Sequence, residues 1–188
     1  MTKEGRKISH TDDNPLDNLF ISLSDKLCPY FKKYNFTPNI LTFIGLIFGL
    51  ISCYTFYFDK IFISVILFYI YYFFDCLDGH YARKYKMETQ FGDYFDHFRD
   101  ILITFSIIVL IVYKSKNKYL IGSILIIFYI LFCIHMGCQE EHSQHVENNK
   151  FLQKLRGLCL DKSYIKYTRF FGCGTFIFIM SFLMIFRL

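Results

Sequence analysis

Five long apolar segments constrain the fold of this chain more than any other feature. They cover approximately residues 40–58, 61–74 (continuing to 81), 101–113 (starting near 92), 119–137 and 170–188. A helix needs about 20 residues to cross a bilayer, because each residue rises about 1.5 Å. The second and third segments reach this length only when their charged ends are counted. The pattern predicts an all-α, polytopic membrane bundle of about five to six transmembrane helices.

Composition supports a membrane protein. Hydrophobic residues make up 54% of the chain, and its mean hydropathy is +0.31. The net charge of +5 is too small to indicate a nucleic-acid partner, but it suits a polar rim that meets anionic lipid headgroups. The seven cysteines are scattered and never spaced as Cys-x-x-Cys. This spacing favours reduced thiols over a disulfide framework or a zinc site.

The N-terminal region is predicted to lie outside the hydrocarbon. Residues 1–13 are polar and charged, and are expected to form a disordered tail. Asn14 and Pro15 are typical of a helix start, and apolar residues follow at three- and four-residue spacing. Pro29 is expected to end or kink this helix. Residues 14–34 are therefore predicted as an amphipathic interfacial helix, with a helix packed on a soluble face as the alternative.

Residues 35–188 are then predicted to form the transmembrane domain. Of the 21 Lys and Arg residues, 16 fall on the cytosolic side if the N-terminus is cytosolic; the exceptions are Lys60, the three lysines of residues 114–118 and Arg187. The polar stretch 138–169 is expected to be helix or loop outside the hydrocarbon. A metal site at Cys138, Glu140, Glu141, His142 and His145 is considered, but a solvated loop is favoured.

Acidic residues cluster at the end of the second apolar segment and the start of the third. Residues three or four apart share one helix face. These faces carry Asp75, Asp78, Gly79, Ala82 and Arg83 in the first helix, and Gly92, Asp96 and Asp100 in the second. The short polar turn over residues 84–90 brings the two helices back antiparallel, so the four aspartates are predicted to converge. Asp93 and Arg99 fall off this stripe and are assigned to the rim.

Four carboxylates at the membrane surface predict a cation site. Each carboxylate there costs several kcal/mol unless its charge is compensated, and the four repel one another. Arg83 alone cannot neutralise them, whereas divalent cations can, and oxygen ligands select hard ions such as Mg²⁺, Mn²⁺ or Ca²⁺. One or two ions fit. Small residues on the same faces leave room for a ligand, and a metal with a nearby arginine suits a pyrophosphate.

The spacing of these residues resembles a known family signature. The pattern Asp75-x2-Asp78-Gly79-x2-Ala82-Arg83-x8-Gly92-x3-Asp96-x3-Asp100 is similar to that of the CDP-alcohol phosphatidyltransferase family at all eight fixed positions. A weaker likeness extends upstream to Thr37-Pro38-Asn39-x-Leu41-Thr42. The resemblance implies a helical membrane fold, usually with six spans and usually dimeric, whose active site opens to the cytosol. Our count of five leaves a sixth span missing or within residues 145–165.

The resemblance also implies a reaction and a set of site residues. An acceptor hydroxyl attacks the β-phosphorus of a CDP-alcohol, the phosphoalcohol group is transferred, and CMP leaves. Asp75, Asp78 and Asp96 would bind Mg²⁺ or Mn²⁺, and Asp100 would be both the general base and a further ligand. The CDP site would comprise Gly79, Ala82 and Arg83, with Asn39 and Thr42 beside them and with Gly92 and His97 at its rim.

The substrates are less constrained. His97 directly follows Asp96, which resembles the choline- and ethanolaminephosphotransferase branch. CDP-choline or CDP-ethanolamine is therefore favoured over CDP-diacylglycerol as the donor, and the acceptor is a lipid or polar alcohol. Two other classes stay open: a small ion or solute carrier with intramembrane acids, and a non-catalytic scaffold. His80 either reaches the site or extends to the interface.

Overall fold

All regular secondary structure is helical in the residues that the computed structural model describes, which are 5–143, 155–159 and 161–186. The helices are α1 (Pro15–Lys33), α2 (Pro38–Tyr57), α3 (Ile61–Lys84), α4 (Gln90–Lys114), α5 (Lys118–His142), α6 (Ile165–Thr168) and α7 (Cys173–Phe186). Single 3-10 turns cover Arg156–Leu158, Lys162–Tyr164 and Arg169–Phe171. The predicted all-α fold is confirmed, and each of the five apolar segments forms a helix.

Four stretches are long and apolar enough to cross a membrane: α2, α3, α5 and Ile165–Phe186. Helix α4 is as long as α5, but the acidic residues and Arg99 in its first half make it too polar to qualify by composition. The bundle is therefore confirmed with four candidate spans in the described residues. The possible sixth span within residues 145–165 lies largely outside them.

Helix α2 packs against both α3 and α4 and so sets the distance between them. A Cβ atom at Gly45 would lie 3.2 Å from Cβ of Phe74 on α3 and 3.4 Å from Nη1 of Arg99 on α4. One turn later, a Cβ atom at Gly49 would lie 2.8 Å from Ile103. The two glycines thus allow both neighbouring helices to approach the α2 backbone closely, as small residues do between membrane helices.

Local sequence signals explain where the helices begin. Side chains of residues that precede the helices accept hydrogen bonds from backbone N–H groups of the first turn: Asn14 from Leu16, Thr37 from Ile40, Thr89 from Gly92 and Asn117 from Leu120. Proline occupies the first position of α1 and α2. The turn between α3 and α4 contains Lys86 at φ 54°, and its length matches the predicted turn over residues 84–90.

Residues 5–13 differ from the disordered tail that we expected. They form turns against the bundle, in which Nη1 of Arg6 donates to Oδ1 of Asn18 at 2.6 Å and Ile8 is buried beside Cys138 and Ile165. Residues 1–4 are not among the residues that the structure describes. Polar composition alone predicts disorder, but the partners of Arg6 and Ile8 belong to distant parts of the chain, which composition does not reveal.

Helix α1 buries several polar residues against the protein and leaves some of its leucines exposed. Asp17, Asn18 and Ser24 are buried, whereas Leu19 and Leu23 are 64% and 45% exposed. This orientation favours the interfacial interpretation, because a helix on a soluble face would bury its apolar side. Pro29 lies inside α1 and does not end it, because the helix continues to Lys33. A proline inside a helix removes only one backbone hydrogen bond, and the turns on either side of Pro29 are retained.

The region after α5 departs from the sequence analysis in two respects. Cys138 and Cys159 form a disulfide, so the prediction of reduced thiols is wrong for this pair; the other five cysteines are free. Glu140 is completely buried and pairs with Lys7, so a solvated loop is also wrong at this position. Neither pairing could be read from spacing, because 21 residues separate the two cysteines and Lys7 lies at the other end of the chain.

Candidate active site

Three predicted metal ligands meet where the end of α3 faces the start of α4. Carboxylate oxygens of Asp75, Asp78 and Asp96 lie within 4.8 Å of one another. Asp100, one turn after Asp96, joins them through a shared partner. The three- and four-residue spacings place these acids on the facing sides of the two helices, as the sequence predicts.

The shared partner is Arg99, whose side chain is 0% exposed. Its Nη1 donates to Oδ2 of Asp78 at 2.6 Å, and its Nη2 donates to Oδ1 of Asp96 at 2.5 Å and to Oδ1 of Asp100 at 2.8 Å. Nη2 also donates to Asp75. The guanidinium therefore contacts all four aspartates.

The assignment of Arg99 to the rim was wrong. Helical spacing places its Cα atom off the acidic stripe, but the long side chain turns back toward the acids, and Gly45 on α2 leaves space for it. One signal was present in the sequence. A permanent cation among apolar residues needs an anionic partner, and Asp96 and Asp100 lie three residues before it and one residue after it.

Tyr71 is a second residue that the sequence analysis missed. Its hydroxyl donates to Oδ1 of Asp100 at 2.8 Å, and the guanidinium carbon of Arg99 lies 5.5 Å from the centre of its ring. Tyr71 precedes Asp75 by one helical turn on α3, so the same four-residue spacing that identified the acids would have placed it on their face. It orients Asp100 from the buried side.

A cavity opens beside Asp78 and Asp96, at the ends of α2, α3 and α4. Its lining includes all the residues predicted to bind CDP or to form the rim: Asn39, Thr42, Gly79, Ala82, Arg83, Gly92 and His97. Asp75 and Asp100 are not among the lining residues. The structure thus brings the predicted set together, and of the four acids Asp78 and Asp96 line the cavity.

Two glycines shape the cavity. A Cβ atom at Gly79 would lie 3.2 Å from Nη1 of Arg83, so its absence lets the guanidinium lie against the α3 backbone. At Gly92, a Cβ atom would lie 2.9 Å from Oδ1 of Asn39, so its absence lets Asn39 of α2 approach α4. Both positions keep the cavity open to a ligand that approaches the helix backbones.

The N-terminal segment contacts the cavity through Arg83. The carbonyl oxygen of Gly5 accepts a hydrogen bond from Nε of Arg83 at 2.9 Å. The same oxygen lies 3.1 Å from Nδ1 of His80, whose Nε2 lies 3.1 Å from Oδ1 of Asp25. His80 therefore faces α1 and the N-terminal segment, and it does not reach the cavity.

His97 stands at the mouth of the cavity. Its Nδ1 donates to the carbonyl oxygen of Asp93 at 2.7 Å, one turn earlier on α4. This hydrogen bond fixes the ring and leaves Nε2 as the nitrogen directed away from the α4 backbone. Asp93 also lines the cavity, in agreement with its assignment to the rim.

The donor set fits a hard divalent cation. All the converging groups are carboxylates, and Mg²⁺ and Mn²⁺ prefer such oxygen ligands. Zinc instead prefers nitrogen and sulfur ligands. In the described residues this is the one group of three or more His, Cys, Asp and Glu side chains close enough to hold a metal ion. One monovalent guanidinium against four carboxylates leaves negative charge for such an ion.

Comparison with known proteins agrees with this geometry. The family model described as CDP-alcohol phosphatidyltransferase matches residues 35–186. A protein of Aquifex aeolicus (strain VF5), named as uncharacterized, is 30% identical over 74 residues; the match covers 39% of this chain and 38% of that protein's length. No solved structure matches the chain. Because the family match spans most of the chain and includes the whole cavity, the chain belongs to the CDP-alcohol phosphatidyltransferase family.

Proposed function

We propose that this protein is a metal-dependent membrane transferase that moves a phosphoalcohol group from a CDP-alcohol to an acceptor hydroxyl and releases CMP. One observation carries the proposal: Asp78 and Asp96 line the same cavity as Gly79, Ala82 and Arg83. A nucleoside diphosphate needs positive charge beside its pyrophosphate and small residues where it approaches the backbone, and this cavity provides both. Membership of the family supports the same chemistry.

Asp75, Asp78 and Asp96 would hold the metal, with Asp100 as a further ligand. A bound Mg²⁺ or Mn²⁺ supplies positive charge to the phosphoryl oxygens of the donor. The terminal nitrogens of Arg83 lie beside Gly79, where they donate to the pyrophosphate while Nε remains held by Gly5. Asn39 and Thr42 complete the wall on the α2 side.

Asp100 would act as the general base. Its side chain is 39% exposed, and its Oδ1 is held by Tyr71 and Arg99. The carboxylate is thereby oriented before the acceptor arrives, which general-base catalysis requires. The acceptor oxygen forms a bond to the β-phosphorus, the bond from that phosphorus to the CMP oxygen breaks, and the hydroxyl proton passes to Asp100.

The donor is proposed to be CDP-choline or CDP-ethanolamine, with CDP-diacylglycerol as the alternative. The preference follows from His97, which directly follows Asp96 as in the choline- and ethanolaminephosphotransferase branch and which lies in the cavity lining. The Lys and Arg distribution favours a cytosolic N-terminus. The cavity opens on the same side as residues 5–13, so the active site would also face the cytosol. A homodimer stays a prediction.

Purified protein in lipid nanodiscs tests the proposal. The donors are CDP-choline, CDP-ethanolamine and CDP-diacylglycerol, each paired with diacylglycerol, inositol, inositol phosphate, serine or glycerol 3-phosphate, and CMP release is measured with Mg²⁺, Mn²⁺ or EDTA. We expect metal-dependent CMP release with at least one pair. Asp78→Asn should abolish it.

Asp59→Asn is the matched control, because Asp59 pairs with Lys114 at 2.7 Å at the far ends of α2 and α4, away from the cavity. This variant should retain wild-type CMP release. Transport of ions or solute across liposomes without CMP release would favour a carrier instead. Neither transport nor CMP release from folded protein would favour a scaffold, and both results contradict the proposal.

A further inference from the structure

The backbone of Gly5 lies directly against α3. A Cβ atom at Gly5 would lie 2.9 Å from Cε1 of His80 and 3.0 Å from the His80 carbonyl oxygen. The residue also has φ 86°, a conformation that residues with a side chain rarely adopt. Gly5 therefore allows the N-terminal segment to approach α3 more closely than any other residue would permit.

The three residues after Gly5 attach the segment to three other helices. Their partners are Asn18 on α1 for Arg6, Glu140 on α5 for Lys7, and Ile165 on α6 for Ile8. Glu140 and Ile8 are both buried, so two of these contacts are shielded from water. The position of the Gly5 carbonyl group is thus set by contacts of its own residue with α3 and of its neighbours with the rest of the bundle.

The Gly5 carbonyl oxygen is the one hydrogen-bond acceptor of Arg83 among the residues that the structure describes, and it lies 2.9 Å from Nε. The terminal nitrogens Nη1 and Nη2 lie 3.2 Å and 3.5 Å from the position of a Cβ atom at Gly79, and both Gly79 and Arg83 line the cavity. The N-terminal segment therefore holds the guanidinium at Nε and leaves its terminal nitrogens where a ligand in the cavity can reach them.

An arginine that is already held binds an anion more tightly than a mobile one. A long side chain loses rotamer freedom when it binds a ligand, and this loss lowers affinity about two- to tenfold. The hydrogen bond from Nε to Gly5 orders the Arg83 side chain when the protein folds. Donor binding then has less freedom to remove.

We infer that Gly5 is a positioning residue of the donor site: its carbonyl oxygen holds Arg83 so that the terminal nitrogens face the donor pyrophosphate before the donor binds. The inference rests on the proposed function, because it assigns Arg83 to that pyrophosphate. Residues 5–8 precede the segment 35–186 that matches the family, so this contribution to the donor site lies outside the family signature.

Gly5→Ala in nanodiscs tests the inference. The added Cβ atom would meet His80 and oppose the positive φ, so the carbonyl oxygen should move away from Arg83. The donor KM should rise about two- to tenfold, while kcat and the acceptor KM keep their wild-type values. Gly122→Ala is the matched control and should leave all three constants unchanged, because a Cβ atom there would meet nothing within 4 Å.

A double-mutant cycle with Arg83→Ala separates positioning from a general effect on the fold. In the Arg83→Ala background, Gly5→Ala should not raise the donor KM further, because the side chain through which it acts is gone. An equal rise in both backgrounds would overturn the inference. A folded Gly5→Ala variant with the wild-type donor KM would also overturn it.

Ile8→Ala decides the question if Gly5→Ala does not fold. It shortens a buried anchor of the segment and leaves Gly5 unchanged, so the donor KM should again rise and kcat should not change. If Arg83→Ala raises the donor KM and folded Ile8→Ala does not, the inference alone fails. Absence of CMP release from folded wild-type protein with every donor would instead overturn the proposed function, and the inference with it.

Discussion

Two of the buried acidic regions in the part of the chain that the structure describes are built in opposite ways. At the active site, four aspartates share one guanidinium and one side opens to a cavity. Between α1, α3 and α7, Asp17 is a buried carboxylate that accepts hydrogen bonds from the hydroxyl of Tyr72 and, at 2.7 Å, from the backbone N–H of Gly174. A Cβ atom at Gly174 would lie 2.5 Å from Asp17, so no ligand fits there.

The difference shows which property marks a reactive site. Both regions bury acids, so burial does not distinguish them. Asp17 is satisfied by neutral donors of the protein itself and serves to join three helices, as buried polar groups do when their hydrogen bonds are complete. The active-site acids carry more negative charge than their protein partner can neutralise, and two of them, Asp78 and Asp96, line a cavity. A cationic ligand can bind where buried acids carry uncompensated negative charge and also line an open cavity.

Among the variants that test this comparison, Asp100→Asn should have the largest effect. Loss of the proposed base should lower kcat by about a thousandfold or more, since a general base and the orientation it gives the acceptor are lost together. The expression and melting temperature should change little, because Tyr71 and Arg99 can still hydrogen-bond to the amide oxygen. Steady-state CMP release and thermal denaturation check both statements.

The matched variant for this comparison is Asp17→Asn, which makes the same chemical change at a buried acid outside the cavity. Folded Asp17→Asn should keep the wild-type kcat. If Asp100→Asn turns over normally, Asp100 is not the base. If Asp17→Asn loses turnover while it remains folded, the contrast between the two regions does not hold.

Arg83→Ala should have the next largest effect, on donor binding. The guanidinium lies beside Gly79 in the cavity, and a charge-assisted contact to a pyrophosphate is worth about 1.5–3 kcal/mol, or roughly ten- to a hundredfold in KM. We expect a higher KM for the CDP-alcohol and an acceptor KM close to the wild-type value. Unchanged donor kinetics would remove Arg83 from the nucleotide site.

Asp17 should make stability depend on pH in a defined direction. Burial, reinforced by the nearby Asp13 carboxylate, raises the pKa of Asp17 from 3.8 to about 7. A folded-state pKa above the unfolded one means that the folded protein binds the proton more tightly. This contribution is fully present below about pH 4 and is lost as the pH rises through about 7.

Asp17→Asn cannot ionise, so its melting temperature should vary less between pH 4 and 8 than that of the wild type. Thermal denaturation of both proteins in the same detergent measures the two slopes. Equal slopes would show that Asp17 is not the group responsible.

The smallest effect is expected for Asp25→Asn, on the outer side of α1. Asp25 accepts a hydrogen bond from Nζ of Lys84 at 2.5 Å, and this bond lowers the pKa of the Asp25 carboxyl. Its side chain is 42% exposed, and exposed ion pairs contribute about 0–1 kcal/mol. The variant should lose at most this much stability at pH 7. The stabilisation fades as the pH falls toward 3.8 and below, so the two proteins should converge in acid.

Sequence reasoning located the parts of the site that depend on local geometry. Helical spacing placed Asp75, Asp78 and Asp96 on facing surfaces, and Asn14 and Pro15 marked where α1 begins. It missed Arg99 and Tyr71, since the reach of one side chain and the space left by Gly45 depend on the packing of three helices. The Cys138–Cys159 pair and the packing of residues 5–13 also depend on contacts between distant segments.

The carbonyl oxygen of Gly5 holds the arginine that is proposed to bind the nucleotide, although 78 residues separate the two in the chain. A fusion partner attached close to the N-terminus would pull on this peptide group before it disturbed any transmembrane helix. Weak donor binding by such a fusion would then report on the attachment and not on the enzyme. Affinity tags are better placed at the other end of the chain, and a tagged form should be compared with one from which the tag has been cleaved.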